Sequence, residues 1–502
     1  MLYADYSDPD AIRVGDDYYM TASSFNHAPG LPILHSKDMI NWTIINHALP
    51  VIPPKETYQK VLHGLGVYAP SIRYHDGTFF IFYGDPDFGI YMVSTKDPRG
   101  KWTEPLLIKE GPGYIDTCPL WDDDGKAYLV NAWAGSRVKG ANKLTLHEMS
   151  PDGTKLIGEG KVIIQGREMR WSTLEGPKLY KRDGWYWVFA PGGGVGSGYQ
   201  AVARSRNIWG PYEGRIVLEQ GTTHVNGPHQ GAWLDTPKGE DWFLHFQKLG
   251  AWGRVTHLQP IKWTEAGWPV MGNDPDNDGK GEPFLTHKKP DLPVQPIAVP
   301  ATTDEFDEPT LGLQWQWEAN FITDWWDLKA KKGSLRLNSI PLAEPNVRWT
   351  APNILLQKFP APSFTATTVL HFSPKTEGEV AGLTVFGRNY AWLGLRKTGG
   401  KTQLELVTFR SRADKEEVVN ASAQPKGNTV FLRVSVDTEA RCRFEWSEDG
   451  ENFQAIDRDF RTTNLGWVGA KIGVFATAEP GSASTGHADF DWFRVTDYIP
   501  NQ

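Results

Sequence analysis

Three short acidic segments in the first half of the chain carry side chains suited to general acid and base chemistry. They are Tyr6-Ser7-Asp8-Pro9-Asp10, Tyr114-Ile115-Asp116-Thr117 and Thr173-Leu174-Glu175-Gly176-Pro177. Each acid stands beside apolar residues at or near a predicted strand, where a carboxylate is costly unless a charge or a function compensates for it. One such acid alone is typical of a turn cap, whereas three in three separate repeats favour a shared site.

The elements that must position these acids follow from a pattern that recurs five times between residue 1 and about residue 285. A polar turn precedes an aromatic-rich strand each time. Asp-Gly between alternating apolar residues indicates a hairpin. A further strand follows each hairpin, usually with a Trp such as Trp42, which we expect to be structural. The hairpins read GDDYYMTAS (15–23), HDGTFFIFYG (75–84), DDGKAYLVNAW (123–133), RDGWYWVFAP (182–191) and KGEDWFLHFQ (238–247).

Five units of roughly 50–60 residues with about four strands each predict a five-bladed β-propeller over residues 1–285. A large irregular sandwich is the alternative architecture. In a propeller the innermost strand of each blade lines a central funnel, so single residues from different blades can converge there. The three acidic segments lie in three different units and are therefore expected to meet.

The character of the chain changes at about residue 286. The segment HKKPDLPVQPIAVPATTDEF is rich in Pro and predicts an extended linker over residues 286–303. Alternating strands return over residues 304–502, as in SLRLNSI, FTATTVLHF and ADFDWFRVTD, without the blade pattern. We expect a second all-β domain, most simply a two-sheet sandwich, that stabilises the propeller or shapes the rim of its pocket.

Composition limits the classes of function. The chain has 502 residues with 22 Trp, 17 Tyr and 23 Phe, which suits short packed strands and also the binding of sugar rings. The net charge is −8 and no cluster of Lys and Arg stands out, so a nucleic-acid partner is not expected. No apolar run approaches the roughly 20 residues of a membrane span. Cys118 and Cys442 fit neither a metal site nor a disulfide framework, and two free thiols are expected.

The opening MLYADYSDPD lacks a basic segment followed by an apolar stretch, so no signal peptide is expected in this chain. The compartment stays open between cytoplasmic and, if a leader has been removed, secreted or periplasmic. The oligomeric state is likewise open.

Taken together, these segments resemble glycoside hydrolase family 43, whose fold is a five-bladed propeller. The C-terminal domain, which opens DEFDEPTLGLQWQW, resembles the β-sandwich appended to many β-xylosidases of that family. The propeller segments that carry the resemblance stand in family order: SDPDAIRVGDDYYMTASS, VYAPSIRYHDGTFFIFY, YIDTCPLWDDDGKAYLV, TLEGPKLYKRDGWYWVFAP, GPHQGAW and GRVTHLQPIKW.

The resemblance implies a role for each acid. Asp8 takes the general-base position, Glu175 the general-acid position, and Asp116 that of the acid which orients Glu175 and tunes its pKa. Glycoside hydrolysis needs one carboxylate to activate water and one carboxylic acid to protonate the leaving oxygen. A nearby negative charge helps that acid to keep its proton. Asp10 would share a strand face with Asp8 and is its rival as base; only the motif chooses between them.

Substrate contacts are implied for three further residues. Arg254, in Gly-Arg-Val, matches an arginine that contacts the sugar, and its guanidinium can also balance the three carboxylates. Phe25 and Tyr68 match aromatic positions that wall the pocket, although the family commonly has Trp where Tyr68 stands.

Calcium is implied at one position and expected at a second. His229, in Gly-Pro-His, matches a histidine that holds calcium at the propeller centre, with water completing the shell. Glu305, Asp307 and Asp489 flank the start and end of the sandwich, where a second, structural calcium is expected. The acidic run NDPDNDGKGE (273–282) lacks the Glu of an EF-hand loop and is interpreted as a solvated turn.

The function that the resemblance implies is an inverting, exo-acting glycoside hydrolase. It would release xylose, and also arabinose, from oligosaccharides derived from hemicellulose, as a β-D-xylosidase with α-L-arabinofuranosidase activity. A dedicated α-L-arabinofuranosidase is the alternative enzyme. A non-catalytic carbohydrate-binding propeller is the alternative from another class, and the presence of all three acids disfavours it. Linkage and chain-length preference stay open.

Overall fold

The computed structural model describes residues 1–345, 347–456 and 460–496 as two all-β domains. This confirms the predicted fold class, a five-bladed propeller followed by a two-sheet sandwich. The described helices are one α-turn, Gly166–Met169, and four 3₁₀ turns, Thr57–Gln59, Gly250–Trp252, Thr323–Trp325 and Arg348–Thr350. Within these ranges none is long and apolar enough to cross a membrane.

The propeller consists of five antiparallel four-stranded sheets, each built from strands consecutive in sequence. The first two blades are β1 (Asp10–Val14), β2 (Asp17–Thr21), β3 (Gly30–Ser36) and β4 (Thr43–Leu49), then β5 (Tyr68–His75), β6 (Thr78–Asp85), β7 (Gly89–Thr95) and β8 (Leu106–Glu110). The next two are β9 (Tyr114–Trp121), β10 (Ala127–Trp133), β11 (Lys143–Met149) and β12 (Leu156–Gln165), then β13 (Lys178–Arg182), β14 (Trp185–Gly192), β15 (Tyr199–Ser205) and β16 (Glu213–Leu218). The last is β17 (His229–Asp235), β18 (Asp241–Lys248), β19 (Arg254–Trp263) and β20 (Pro269–Met271).

Two of the Asp-Gly pairs form the tight hairpins that the sequence predicts. Asp76 and Gly77 join β5 to β6 with φ of 45° and 76°, and Asp183 and Gly184 join β13 to β14 with φ of 52° and 71°. Positive φ at both central residues matches the right-handed twist of the paired strands. Trp42 is fully buried in the core of the first blade, and its indole N–H donates to the Met39 carbonyl at 2.8 Å.

The segment that precedes the first blade closes the ring against the last one. The Thr256 N–H donates to the Leu2 carbonyl at 3.2 Å, and the Tyr6 N–H donates to the Arg254 carbonyl at 3.2 Å. Residues 2–6 therefore run along β19, and the start of β1 is brought next to the last blade. This places residues far apart in sequence side by side at the propeller axis.

The second domain contains two packed sheets whose facing side chains form one core, with Leu370, Leu393, Leu432 and Ile472 among its fully buried members. One sheet contains β21 (Gln316–Trp317), β24 (Ile340–Pro341), β25 (Leu355–Lys358), β27 (Val380–Phe386), β28 (Asn389–Thr398), β29 (Lys401–Arg410), β30 (Val418–Ala423) and β35 (Lys471–Ala478). The other contains β22 (Trp326–Asp327), β23 (Leu335–Asn338), β26 (Phe364–Ser373), β31 (Thr429–Val436), β32 (Arg441–Ser447), β33 (Gln454–Ala455), β34 (Phe460–Arg461) and β36 (His487–Thr496). The predicted end of this domain, at 502, lies outside the described residues.

Backbone hydrogen bonds join the sandwich to the propeller. Ala28 and Trp317 exchange both of their N–H···O bonds, at 3.1 and 2.6 Å, as in a short strand pair. The Asn320 side chain accepts from the Ile52 N–H at 2.8 Å and donates to the Ile52 carbonyl at 2.8 Å. Because these bonds fix the register of one domain on the other, the sandwich can contribute side chains to a site at the propeller axis.

Candidate active site

One pocket at the propeller axis contains all six residues predicted to act in catalysis or substrate binding. They are Asp8, Phe25, Tyr68, Asp116, Glu175 and Arg254. Gln230, Trp133, Asn142 and Trp467 complete much of the remaining wall.

The acids meet because each lies at the same end of a first strand. Asp8 stands two residues before β1, Asp116 is the third residue of β9, and Glu175 stands three residues before β13. Among the first strands, β1 contacts β5 and β17, and β9 contacts β5 and β13. The N-terminal ends of these strands therefore converge, and the three carboxylates converge with them.

Several pocket residues have backbones in the left-handed region, which non-glycine residues rarely adopt. The φ angles are 51° at Asp8, 50° at Phe25, 56° at Asp116, 48° at Thr173 and 42° at Gln230. Such conformations cost on the order of 1–3 kcal/mol each and persist where the surrounding structure enforces them. Here they turn side chains out of the regular strand direction and into the pocket.

Asp8 is held as a carboxylate by two donors. The Ser23 hydroxyl donates to Asp8 Oδ2 at 2.6 Å, and Arg254 Nη1 forms a close ion pair with Asp8 Oδ1. Both charged side chains are almost fully buried. Asp8 is thus fixed by two partners at the edge of the space in which a substrate can bind, the position that a general base requires.

Asp10 lies outside the pocket lining and has its own partners. Asp10 Oδ2 accepts from the Ile72 N–H at 2.8 Å and from Arg73 Nη1 at 2.6 Å, and Lys178 Nζ lies 3.9 Å from Oδ1. The Asp10 side chain has no exposed surface. Of the two rival acids, only Asp8 faces the space in which a substrate can bind.

Glu175 and Asp116 form an interacting acid pair. Glu175 Oε1 lies 2.8 Å from His229 Nε2, and Asp116 Oδ2 accepts from the Gly176 N–H at 2.8 Å. Burial raises the pKa of Asp116 well above its usual range, and the charges of Glu175 and Asp8 raise that pKa further. Asp116 therefore senses the charge of Glu175 directly across the pocket.

Aromatic side chains form one side of the pocket, and one of them comes from the sandwich. The rings of Phe25 and Tyr68 meet edge to face with centroids 5.1 Å apart. Trp467 packs over Gly64, so closely that a Cβ added to Gly64 would lie 2.9 Å from the indole ring. Its ring is 5.7 Å from the Arg254 guanidinium carbon and 46% of the residue is exposed. The sequence analysis missed Trp467, because no local pattern shows that a sandwich loop reaches the propeller axis.

His229 offers little to a directly bound calcium ion. Its Nε2 faces Glu175, and its Nδ1 is buried without a hydrogen-bond partner. Calcium takes six to eight oxygen ligands, and among the described residues no group of three His, Cys, Asp or Glu ligands includes His229. The residues present fit a calcium ion at Nδ1 only if water supplies the other ligands.

The structure does not bring the residues of the predicted second calcium site together. Arg494 binds Glu305 with two bonds of 2.8 and 2.7 Å, and Arg336 binds Asp489 with bonds of 2.7 and 3.0 Å. Asp307 is not part of a group of metal ligands in the described ranges. The second calcium stays a prediction that these contacts do not support.

The acidic run at 273–282 forms a surface turn. The described residues contain one group of three acids close enough to hold a metal ion, and Asp274, Asp276 and Asp278 form it. The two oxygens of Asp274 accept from the N–H groups of Asp278 and Gly279, both at 3.1 Å, and Lys280 pairs with Asp278. Backbone and lysine donors thus satisfy part of the charge of this turn.

Comparison with known proteins covers both domains. Residues 1–269 match the model of glycosyl hydrolases family 43, and residues 303–496 match the β-xylosidase C-terminal concanavalin A-like domain. A β-xylosidase of Formosa agariphila is 32% identical over 548 aligned positions that cover 99% of this chain and 90% of that protein.

A non-reducing end α-L-arabinofuranosidase of Bacteroides ovatus is 30% identical and is covered to 92%, with 97% of this chain aligned. The crystal structure of a xylan β-1,4-xylosidase from Bacillus halodurans superposes with a TM-score of 0.86 at 25% identity, covering 99% of each chain. The similarity therefore extends across both domains and their arrangement.

Proposed function

Because this chain belongs to glycosyl hydrolases family 43, we propose that it is an inverting, exo-acting β-D-xylosidase that also releases α-L-arabinofuranose. One observation carries the proposal. Asp8, Asp116 and Glu175, from three different blades, face a single pocket that also contains Arg254 and is walled in part by a sandwich residue, Trp467. A non-catalytic sugar-binding propeller would not need two buried carboxylates and a partly buried third at the ends of three strands.

In the proposed mechanism the two outer acids divide the proton transfers. Asp8, held by Arg254, accepts a proton from the attacking water. Glu175 donates a proton to the departing glycosidic oxygen, and its contact with His229 Nε2 holds its orientation. Direct attack by water on one face, with departure from the other, inverts the anomeric carbon.

Asp116 supports the acid without touching the leaving group in this scheme. It lines the same pocket as Glu175, and the Gly176 N–H donates to its side chain and holds it in place. Because burial and the charge of Glu175 raise the pKa of Asp116 well above its usual range, the pair retains a proton to a higher pH than an isolated aspartic acid would. That proton is the one the leaving oxygen needs.

The pocket walls support attack at chain or branch ends. Phe25, Tyr68 and Trp467 form an apolar side against which one face of a sugar ring can pack, and Arg254 reaches hydroxyl groups. A site walled by two domains favours a terminal sugar over a continuous chain. The proposal of xylose and arabinose draws on relatives that are named for both sugars.

The test is product analysis with matched inactive controls. Aryl β-D-xyloside, aryl α-L-arabinofuranoside, xylo-oligosaccharides and arabinan fragments are incubated with the wild type, Asp8→Ala and Glu175→Ala. We expect xylohexaose to yield xylose and xylopentaose first, with the released sugar initially in the inverted anomeric form by NMR. An even early spread of dimers to tetramers would refute exo attack. Cleavage of the arabinofuranoside alone would favour a dedicated α-L-arabinofuranosidase.

A further inference from the structure

Asp5 lies beneath the pocket and binds three separate pieces of it without lining it. Its Oδ1 accepts from the Ser7 hydroxyl at 3.0 Å and from the Arg254 N–H at 2.8 Å. Its Oδ2 accepts from the Gly469 N–H at 3.0 Å. The residue is 4% exposed, so these three donors replace water around the carboxylate.

The three partners each adjoin a different functional part of the pocket. Ser7 is the neighbour of Asp8, Arg254 is the cation that pairs with Asp8, and Gly469 follows Trp467 by two residues in a loop of the sandwich. One propeller side chain thus connects the proposed base, its cation and the aromatic wall of the other domain. A carboxylate suits this position because it only accepts hydrogen bonds and all three partners donate.

The two backbones around Asp5 meet with almost no spare room. A Cβ added to Gly253 would lie 2.4 Å from the Gly469 nitrogen and 2.5 Å from Asp5 Oδ1. Next to this contact, the Ala470 N–H donates to the Ala251 carbonyl at 2.6 Å. Because these two backbones touch, there is no free space between them to absorb a movement of Asp5. A shift of its carboxylate therefore moves the loop that carries Trp467 relative to Arg254.

We propose that Asp5 is a positioning residue that fixes the distance between Trp467 and the Asp8–Arg254 pair, and so determines how tightly the pocket encloses the terminal sugar. The inference rests on the proposed function for the reaction that is measured. It adds that Asp5, a propeller residue outside the pocket, determines how closely Trp467 of the sandwich approaches the bound sugar.

The experiment is a comparison of Asp5→Asn with Asp38→Asn. Asp38 is a matched control, since it is 8% exposed and accepts from the Ser36 hydroxyl at 3.0 Å and from the N–H groups of Ile40 and Asn41 at 2.9 and 2.8 Å. It lies in the first blade, outside the pocket. We expect KM to rise about tenfold in Asp5→Asn with a smaller change in kcat, and neither constant to change in Asp38→Asn, while both variants lose thermal stability.

A double-mutant cycle with Trp467→Ala separates positioning from a general loss of structure. If Asp5 acts through Trp467, Asp5→Asn should raise KM much less in the Trp467→Ala background than in the wild type. Equal effects in both backgrounds, or an unchanged KM in folded Asp5→Asn, would overturn the proposal.

If Asp5→Asn does not fold, Asp5→Glu serves in its place. It keeps the charge and adds one methylene, which displaces the Gly469 loop, and an unchanged KM in that variant would equally overturn the proposal. All ratios are taken on whichever aryl glycoside the wild type hydrolyses. If the proposed sugar is wrong, the assay uses a different substrate. The expected ratio of the KM of the variant to the KM of the wild type stays the same.

Discussion

Substituting Asp8 and Asp10 separately by asparagine should have opposite effects on kcat, because the two acids have different surroundings only two residues apart. Asp8 faces the pocket and pairs with Arg254. Asp10 has no exposed surface and holds Arg73 and the Ile72 N–H. Asparagine keeps the shape of the side chain, removes the charge and replaces one acceptor oxygen by an amide donor.

The magnitudes follow from those contacts. Asp10→Asn leaves Arg73 in a buried setting without its counter-charge, and loss of one partner of a buried pair costs about 3–5 kcal/mol. At about 2–4 °C per kcal/mol for a domain of this size, the melting temperature should fall by roughly 6–20 °C. Asp8→Asn removes the base and should lower kcat by about 10²–10⁴-fold. Its melting temperature should fall as well, because Arg254 loses its partner in a similarly buried ion pair, so kcat is the quantity that separates the two variants.

The assay measures melting temperature and kcat at 25 °C, on xylobiose and on an aryl xyloside with an acidic phenol. Asp8→Asn should be poor on both substrates, since water must be activated whatever the leaving group. Asp10→Asn should keep most of its activity while it is folded. The assignment of the base is wrong if folded Asp10→Asn loses activity on both substrates while Asp8→Asn keeps it.

Three further predictions concern the acid, its neighbour and the metal. Glu175→Ala should lose most activity on xylobiose yet keep appreciably more on the aryl xyloside, because a good leaving group needs no proton; equal losses on both would contradict the acid assignment. Asp116→Asn removes the buried carboxyl group whose pKa is raised by burial and by the charge of Glu175, so the pair loses its raised proton affinity and the alkaline limb of the pH profile should move to lower pH; an unmoved limb would exclude coupling. Calcium bound through water at His229 should appear in elemental analysis, and chelation should lower the melting temperature until calcium is restored; active protein that contains no metal and shows no effect of chelator would refute it.

The sequence predicted those parts of the site that depend on local pattern. Asp-Gly pairs before aromatic strands marked the blades, and acids beside strand starts marked three first strands. Because the first strands of all blades lie around the propeller axis, Asp116 and Glu175 are expected to approach each other, although 59 residues separate them in the chain. Proximity to an axis can be inferred from repeat order alone, because every blade presents the same strand to the centre.

Other features of the site depend on contacts that no local pattern encodes. Trp467 reaches the pocket only because Gly469 and Gly253 allow two backbones to touch, and that meeting point joins chain positions more than 200 residues apart. The choice between Asp8 and Asp10 likewise needs the positions of Arg254 and Arg73. Alternation along a strand puts both acids on one face, but the left-handed φ of 51° at Asp8 breaks that alternation and turns Asp8 alone toward the pocket.

The site therefore combines two kinds of support. The carboxylates belong to the rigid ends of propeller strands, held in left-handed backbone conformations that the surrounding blades must enforce. Part of the enclosure of the sugar belongs to the sandwich, through Trp467 and the Asp5 contact to Gly469. A substitution of Trp467 itself would reshape the wall while the partners of Asp8 and Glu175, which are Ser23, Arg254 and His229, stay in place. This separation offers a physical reason why one catalytic propeller can serve relatives named for different pentoses.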